Sequence, residues 1–158
     1  MLKIKFQPFP EIKTSRLILR RLKLTDAPEF YFLRSDKGVL RYIDRKPAKS
    51  VAQTRTFMKS LFKFEKKNEG INWAITLKGN DKLIGYVCIF NIQKDHHRAE
   101  LGYILHPTFQ GIGIAKEAVE AVLKVAFTKF KLHSLEANIN PKNKASLKLI
   151  KRPMFLNL

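Results

Sequence analysis

The sequence predicts an α/β (α+β) fold, in which helices flank a mixed, mostly antiparallel sheet. Three observations favour this class. Apolar or alternating segments of strand length recur along the chain, and amphipathic segments with a helical period separate several of them. The strand segments are 16–22, 71–77, 82–92, 99–105 and 134–139. A Gly79-Asn80 turn signal joins the second segment to the third, and the fourth follows closely, which indicates an antiparallel meander.

Length and composition fit one compact domain over residues 1–158. A chain of 158 residues can bury a substantial core, and a hydrophobic content of 45% argues against disorder. The longest apolar stretch, 83–90, is too short to span a bilayer, and the N-terminal residues lack the features of a secretory signal. We therefore expect a soluble, cytoplasmic protein with no membrane partner.

The charge balance is strongly basic, with 31 Lys and Arg against 13 Asp and Glu and a net charge of +18. Such a surface attracts polyanions, so RNA, the ribosome or an acidic protein is a candidate partner. The lysines are scattered, however, and no RNA-binding motif interleaves aromatic residues with them. Non-specific attraction and solubility are the alternative interpretation.

The first strand segment, 16–22, leads into a short helix. Thr25 or Asp26 can cap this helix, because their side-chain oxygens accept hydrogen bonds from N–H groups of the first turn. Pro28 suits that first turn, and the helix is expected to end near Arg34.

A loop over 35–50, with one helical turn around 39–42, precedes a second helix capped by Ser50. Most apolar residues of this helix share one face, and such a stripe usually belongs to a core. They are Val51, Thr54, Phe57, Met58, Leu61, Phe62 and Phe64. In the strand 82–92, Cys88 is the only cysteine of the chain, which excludes an internal disulfide. Its apolar neighbours favour a buried thiol over a reactive one.

A third helix follows a glycine loop, and its apolar residues recur at intervals of three and four. They are Ala115, Ala118, Val119, Val122, Ala126, Phe127 and Phe130. After the strand 134–139, Asn140-Pro141 breaks the chain, and a fourth helix is predicted from 142 to about 151.

The strongest functional signal is the junction between the strand 99–105 and the third helix. Its loop is Gln110-Gly111-Ile112-Gly113-Ile114-Ala115. A helix start carries N–H groups without intrahelical acceptors and the positive end of the helix dipole, so a phosphate or pyrophosphate fits there. Gly111 and Gly113 allow positive φ and a close approach of a ligand to the backbone. Two glycines alone are equally compatible with a tight turn.

Gln110-x-x-Gly113-x-Ala115 resembles the Q/R-x-x-G-x-G/A loop of the GNAT N-acetyltransferase superfamily. Further motifs resemble its RimJ/RimL-like branch, which acetylates the N-termini of ribosomal proteins. These motifs are Thr14-x-Arg16-Leu17-x-Leu19-Arg20, Glu100-Leu101-Gly102-Tyr103 with His106-Pro107, Glu117-Ala118, and Asn143-x-x-Ser146. The resemblance covers about residues 14–150.

This resemblance implies an acetyl-CoA-dependent N-acetyltransferase that acts on a primary amine, such as a protein N-terminus. In the family, the glycine loop cradles the pyrophosphate, so acetyl-CoA would be bound by residues 110–115. Free backbone groups of Ile104, Leu105 and His106 would bind the pantetheine arm, and a free N–H there can polarise the thioester carbonyl. Asn143 matches the family position that hydrogen-bonds the pantetheine.

Two residues are candidates for catalysis. Glu100 is the candidate general base, acting through a water, because partial burial on a strand can raise the pKa of a carboxylate. Its alternative role is pairing with one of the many cations. Ser146 matches the family position that gives a proton to the CoA thiolate, with helix capping as the alternative. No metal is expected, since His96 and His97 would point to opposite faces of a strand.

The resemblance fails at the end of the chain. Family members continue after the fourth helix with Leu-Gly-Phe and two more strands, whereas this sequence has Pro153-Met154-Phe155 and ends at Leu158. We therefore expect a sheet that lacks the last two strands and exposes an unpaired edge at 134–139. Either a homodimer across that edge or a loss of activity would follow. The alternative function is an inactive CoA-binding or ribosome-associated and RNA-associated module.

Overall fold

The computed structural model describes residues 3–43 and 45–137, which form six strands and three α-helices. The strands are β1 Ile12–Lys13, β2 Leu17–Arg21, β3 Ile71–Leu77, β4 Asn80–Gln93, β5 Arg98–Leu105 and β6 Ser134–Glu136. The helices are α1 Ala27–Ser35, α2 Val51–Lys66 and α3 Ile114–Thr128. Short 3-10 turns occupy Leu24–Asp26, Val39–Tyr42 and Pro107–Phe109.

The six strands form one sheet in the order β1-β2-β3-β4-β5-β6. Every neighbouring pair is antiparallel except β5 and β6, which run parallel. The prediction of a mixed, mostly antiparallel sheet flanked by helices is therefore confirmed. The strand β1 was not predicted, because two residues are too short to show a period.

Side chains alternate between the two faces of this sheet and build two cores. On one face, α3 packs over strand residues that include Leu19, Trp73, Val87 and Leu101. On the other face, α1 and α2 pack over residues that include Ala74, Tyr86 and Ile104. The central strands β3, β4 and β5 are thus covered by helices on both sides.

Two local predictions need correction. The β3–β4 turn consists of Lys78 and Gly79, not of Gly79 and Asn80, because Leu77 lies opposite Asn80 and only Gly79 adopts positive φ, at 85°. Asp26 precedes α1 as expected but does not cap it with its side chain. Its carboxylate instead accepts hydrogen bonds from the Arg20 guanidinium and the Lys23 N–H. Ser50 caps α2 as predicted, since its hydroxyl accepts a hydrogen bond from the Gln53 N–H at 3.0 Å.

The histidine pair lies in a turn before β5 rather than on a strand, and the His97 ring stacks on that of His133 with centroids 4.2 Å apart. Across the part of the chain that the structure describes, no cluster of three or more His, Cys, Asp or Glu could hold a metal. None of the helices in residues 3–43 and 45–137 has the length and apolar character needed to cross a bilayer.

The predicted fourth helix, the strand residues after 137, Asn143 and Ser146 lie outside the described residues. The edge on which the homodimer expectation depends includes that segment, so a homodimer stays a prediction.

Candidate active site

The glycine loop joins β5 to α3 and leaves the helix start accessible. Gly111 and Gly113 adopt positive φ, at 81° and 83°, where an L residue would be strained. Gly113 is also the N-cap residue of α3, so no cap side chain occupies the N–H groups of the first turn. These features suit a diphosphate, because backbone donors and the helix dipole both favour negative charge at this point.

The side chains of the loop have structural tasks of their own. The Gln110 side chain donates a hydrogen bond from its amide nitrogen to the Leu105 carbonyl at 3.0 Å, which ties the loop to the end of β5. Ile114 is 2% exposed and anchors α3 in the core, whereas Ile112 is 56% exposed. The loop can therefore offer backbone groups to a ligand while its side chains hold it in place.

A second contact fixes the loop from the segment between β1 and β2. The Arg16 guanidinium donates to the Ile112 carbonyl at 2.9 Å and to the Glu117 carboxylate at 2.8 Å. The backbone N–H of Arg16 and the hydroxyl of Thr14 also donate to Glu117, at 2.9 and 2.5 Å. We call this group of Thr14, Arg16 and Glu117 the loop clamp. It joins two motifs about a hundred residues apart in the sequence, and neither motif alone predicts the contact.

The loop clamp also determines the charge state of Glu117. Burial opposes ionisation of this carboxyl, but hydrogen bonds from Thr14 and Arg16 and the nearby guanidinium outweigh it, so the pKa of Glu117 lies below its usual value. The residue is therefore ionised near neutral pH and keeps its bonds to Arg16.

The backbone of β5 offers fewer free donors than expected. The His106 N–H donates to the Ile84 carbonyl at 2.8 Å, so the expectation that it is free is wrong. Since N–H directions alternate along a strand, Ile104, opposite Tyr86, also faces β4. The N–H of Leu105 points away from β4, towards the side of β5 on which β6 lies. Among the described residues, β6 pairs only with Arg98–Glu100, at the other end of β5. Leu105 therefore has the N–H best placed for a thioester carbonyl.

His106 has a structural role in its side chain. Its Nδ1 accepts a hydrogen bond from the Thr108 N–H at 3.1 Å, and its ring stacks on Phe32 with centroids 4.8 Å apart. These contacts connect the end of β5 to α1.

Glu100 is half-buried on the face of β5 that carries α1 and α2. It lies opposite Phe90 of β4 and accepts a hydrogen bond from the side-chain amide of Asn91. Asn91 adopts φ of 48° where the β4–β5 register shifts between Phe90 and Gln93. Sequence reasoning missed Asn91, although Asn tolerates this left-handed conformation better than most residues.

A cavity of about 300 Å³ lies between α1, α2 and the neighbouring face of the sheet. Its apolar lining consists of Phe30, Phe57, Leu61, Phe64, Tyr86, Cys88, Ile89 and Phe90. Asn91 lies at its edge and connects it to Glu100. This volume is at the small end of the range for ligand sites.

Cys88 is not a nucleophile in this cavity. Burial raises the pKa of its thiol to about 11, and the thiol donates a weak hydrogen bond to the Gly102 carbonyl at 3.6 Å. A neutral thiol is a poor nucleophile, which agrees with the predicted unreactive role.

The helix start opened by glycines suits a diphosphate, and an apolar cavity on the other face of the sheet adjoins a carboxylate. Together these features fit a group-transfer protein with a phosphate-bearing cosubstrate. Comparison with known proteins makes this more specific. The acetyltransferase (GNAT) domain family matches residues 16–153. The chain therefore belongs to the GNAT acetyltransferase family, and this membership implies acetyl-CoA as the cosubstrate.

Individual relatives agree with this assignment. An uncharacterized N-acetyltransferase, p20, of Bacillus licheniformis is 34% identical over 90% of this chain and 80% of its own. A ribosomal-protein-S5-alanine acetyltransferase structure from Vibrio fischeri is 25% identical, with a TM-score of 0.77, over 89% of this chain and 80% of its own. A RimL structure in complex with coenzyme A shares the fold at 20% identity and a TM-score of 0.81, over 90% and 82% of the two chains.

Proposed function

We propose that this acetyltransferase moves the acetyl group of acetyl-CoA to the primary amine of a peptide or protein N-terminus, and that it does so in the cytoplasm. The observation that carries the proposal is the glycine loop, which opens α3 at Gly113 and is held by the loop clamp next to the outward-facing N–H of Leu105. Acetyl-CoA supplies the diphosphate that the glycine loop would bind and the thioester that the Leu105 N–H would contact.

In this proposal, a named residue of the chain assists each step of the transfer. The Leu105 N–H stabilises negative charge on the thioester oxygen as the amine nitrogen attacks the carbonyl carbon. Glu100 accepts the amine proton through a water and is oriented by Asn91. The C–S bond then breaks, and Ser146 gives its proton to the departing thiolate. The backbone of 110–115 and the side chain of Asn143 hold the cosubstrate.

The choice of an N-terminal acceptor rests on two supports. One is the set of motifs shared with the RimJ/RimL-like branch, and the other is the similarity to an enzyme named for acetylating ribosomal protein S5. The cavity between α1 and α2 supports an acceptor that buries an apolar part beside Glu100.

A thiol-release assay tests this function. Acetyl-CoA is mixed with short peptides that have free N-termini and, separately, with the same peptides blocked at the N-terminus. We expect release only with free N-termini, and a loss of at least tenfold in kcat for Glu100→Gln, since general bases contribute about a hundredfold or more. The matched control is Glu11→Gln, which removes the same charge next to β1 at the opposite edge of the sheet. Equal rates for the two variants would refute the role of Glu100.

The net charge of +18 favours a second property, association with a polyanion such as ribosomal RNA. Calorimetric titrations with acetyl-CoA and with RNA separate the two. We expect acetyl-CoA to bind at about 0.5 M salt and RNA binding to be lost, because contacts to nucleic acid phosphates weaken steeply with salt. RNA binding without acetyl-CoA binding would support the ribosome-associated alternative instead.

A further inference from the structure

Three hydrogen-bonding side chains converge at one end of the cavity between α1, α2 and the sheet. Arg45 donates a hydrogen bond to the Tyr86 hydroxyl at 3.3 Å, and the Arg34 guanidinium interacts with the same hydroxyl. The Tyr86 ring stacks on Phe30 with centroids 4.8 Å apart, and Arg34 lies over the Phe57 ring at 3.9 Å. All three side chains line the cavity. We call this group of Arg34, Arg45 and Tyr86 the cationic end of the cavity.

The positive charge of the cationic end has no anionic partner in the described chain. Among residues 3–43 and 45–137, neither of its guanidinium groups forms an ion pair with a carboxylate. By contrast, three arginines in or next to β2 each pair with a carboxylate at 2.8–3.0 Å, namely Arg16, Arg20 and Arg21. The cationic end therefore differs from these three in leaving its charge for a ligand.

Burial makes the lack of a partner costly. Arg34 is half-buried, and desolvation is the main cause that lowers the pKa of its guanidinium, while Tyr86 opposes this shift and Arg45 adds to it. The Tyr86 hydroxyl accepts from Arg45, and within residues 3–43 and 45–137 no acceptor receives its own proton. A bound carboxylate would accept from this hydroxyl and from both guanidinium groups, which bind carboxylates through two parallel hydrogen bonds.

The cationic end lies next to the position of the thioester. Tyr86 is opposite Ile104 in the β4–β5 pairing. The preceding residue, Gly85, is opposite Leu105, whose N–H contacts the thioester carbonyl in the proposed function. Paired strands are about 4.8 Å apart, so the reacting amine is close to the cationic end. Phe90, at the other end of the cavity, is four positions further along β4, or about 13 Å away.

We propose that Arg34, Arg45 and Tyr86 bind a carboxylate of the acceptor, and that one residue of the acceptor carries both this carboxylate and the reactive amine. The inference rests on the proposed function, since it takes from it the thioester position at the Leu105 N–H. Two sources supply such a carboxylate, the side chain of an acidic N-terminal residue and the α-carboxylate of a free amino acid. In an extended peptide, each later residue lies about 3.3–3.6 Å further from the amine, so later acidic side chains do not reach the cationic end.

The first arm of the test uses six-residue peptides with a free N-terminus and a single Asp at position one, two, three or four. Each is compared with the same peptide containing Asn, and kcat/KM is measured by thiol release. We expect the ratio of the Asp peptide to the Asn peptide to be about tenfold at position one, the effect of 1.4 kcal/mol. The ratio should fall to about one by the fourth position, because the carboxylate moves away from the cationic end. A maximum at the third or fourth position would overturn the inference.

The second arm distinguishes the two sources of the carboxylate. Free alanine and glutamine are compared with their α-amides, and kcat/KM is corrected for the fraction of neutral amine. A preference for the free acids, without an effect of Asp at position one, assigns the cationic end to an α-carboxylate. That result supports the inference and refutes the peptide acceptor of the proposed function. Ratios of one in both arms, with peptides that are acetylated, overturn the inference and leave the proposed function intact.

Protein variants assign the preference to the cationic end. Arg45→Gln and Tyr86→Phe should each remove most of it, and both are expected to fold, because Arg45 is exposed and Phe keeps the ring that stacks on Phe30. Arg55→Gln removes the same charge from the exposed surface of α2 and should keep the full preference. A general loss of activity cancels, because each ratio compares two acceptors with the same variant. Retention of more than half of the preference by both cavity variants would overturn the assignment.

Binding measurements separate a failure of this inference from a failure of the proposed function. If no acceptor is acetylated, the proposed function fails, and calorimetry in the presence of coenzyme A compares the same pairs of acceptors. In one of the two arms, the acceptor with the carboxylate must bind about tenfold more tightly than its neutral counterpart, the effect of 1.4 kcal/mol. Arg45→Gln must remove this difference. Equal affinities within the pairs of both arms would reject the inference.

Discussion

Arg16 and Arg20 belong to one short motif and both bind carboxylates, yet they serve different parts of the molecule. The Arg20 side chain is 8% exposed and forms a bidentate pair with Asp26 at 2.8 and 2.9 Å, which joins β2 to the segment before α1. The Arg16 side chain is 44% exposed and joins the start of β2 to the glycine loop and α3. Burial thus distinguishes an arginine that stabilises the fold from one that positions the site.

The ion pairs of Arg20 and Arg16 also differ in the groups that stabilise their charges. Hydrogen bonding to Asp26 is the largest cause that raises the pKa of Arg20, against the effect of burial. A second carboxylate, Asp81, contacts Arg20 at 2.7 Å but is 68% exposed. In the loop clamp, a single carboxylate receives several donors, and the Arg16 side chain is 44% exposed. Removing one partner should therefore cost stability at Arg20 and cosubstrate binding at Arg16.

The largest expected effect is the loss of the buried pair. Asp26→Asn leaves the Arg20 guanidinium buried with a weaker partner, and breaking such a pair typically costs about 3–5 kcal/mol. We expect a value near the lower limit, because Asp81 still contacts Arg20. Urea unfolding should show a lower midpoint at an unchanged slope. Asp81→Asn is the matched control, and an equal loss in that variant would contradict the distinction between buried and exposed partners.

An intermediate effect is expected at the loop clamp. Glu117→Gln weakens charge-assisted hydrogen bonds from Arg16 and Thr14, each worth about 1.5–3 kcal/mol at most, so the loop becomes less well positioned. The KM for acetyl-CoA should rise about tenfold, with kcat changed less than KM. Steady-state kinetics measure both constants, and Glu120→Gln on the same helix is the comparison variant. Unchanged KM in Glu117→Gln would show that the clamp does not position the loop.

The smallest effect is the pH dependence of the same carboxylate. The folded state lowers the pKa of Glu117 below its ordinary value of 4.5, so its stabilisation is fully present above pH 4.5. It is lost as the pH falls through the folded-state pKa. The difference in Tm between the unmodified protein and Glu117→Gln should therefore be constant from pH 7 to pH 5 and shrink below pH 4. A difference that grows on acidification would have the wrong sign for this mechanism.

Periodicity and turn chemistry were sufficient for most of the fold. The order of strands and helices, the Ser50 cap and the helical turn at Val39–Tyr42 all follow from local sequence. The short strand β1 and the exact hairpin turn did not, because two residues carry no period and a turn can slip by one position. These errors concern local geometry and leave the arrangement of the sheet unchanged.

The site was less predictable because its key contacts are between segments distant in sequence. The glycine loop was recognised from one local motif, and its positive φ values follow from Gly111 and Gly113. The loop clamp, by contrast, requires knowledge that Arg16 and Glu117 meet across the fold. The expectation for His106 failed for a related reason, since strand pairing with Ile84 decides which N–H groups are used. Asn91 reaches Glu100 only because of an irregular register in β4.

The hydrogen bond from the Gln110 side chain to the Leu105 carbonyl, the last of β5, limits which side chains suit position 110. Glutamine and arginine, the two residues of the family's loop pattern, both carry N–H donors at the end of a long, flexible side chain. A carbonyl oxygen can accept a hydrogen bond from either of them, but it repels a carboxylate of the same length. Glutamine and arginine therefore meet the same requirement at this position. Each can donate a hydrogen bond to the carbonyl oxygen of the residue five positions earlier in the chain.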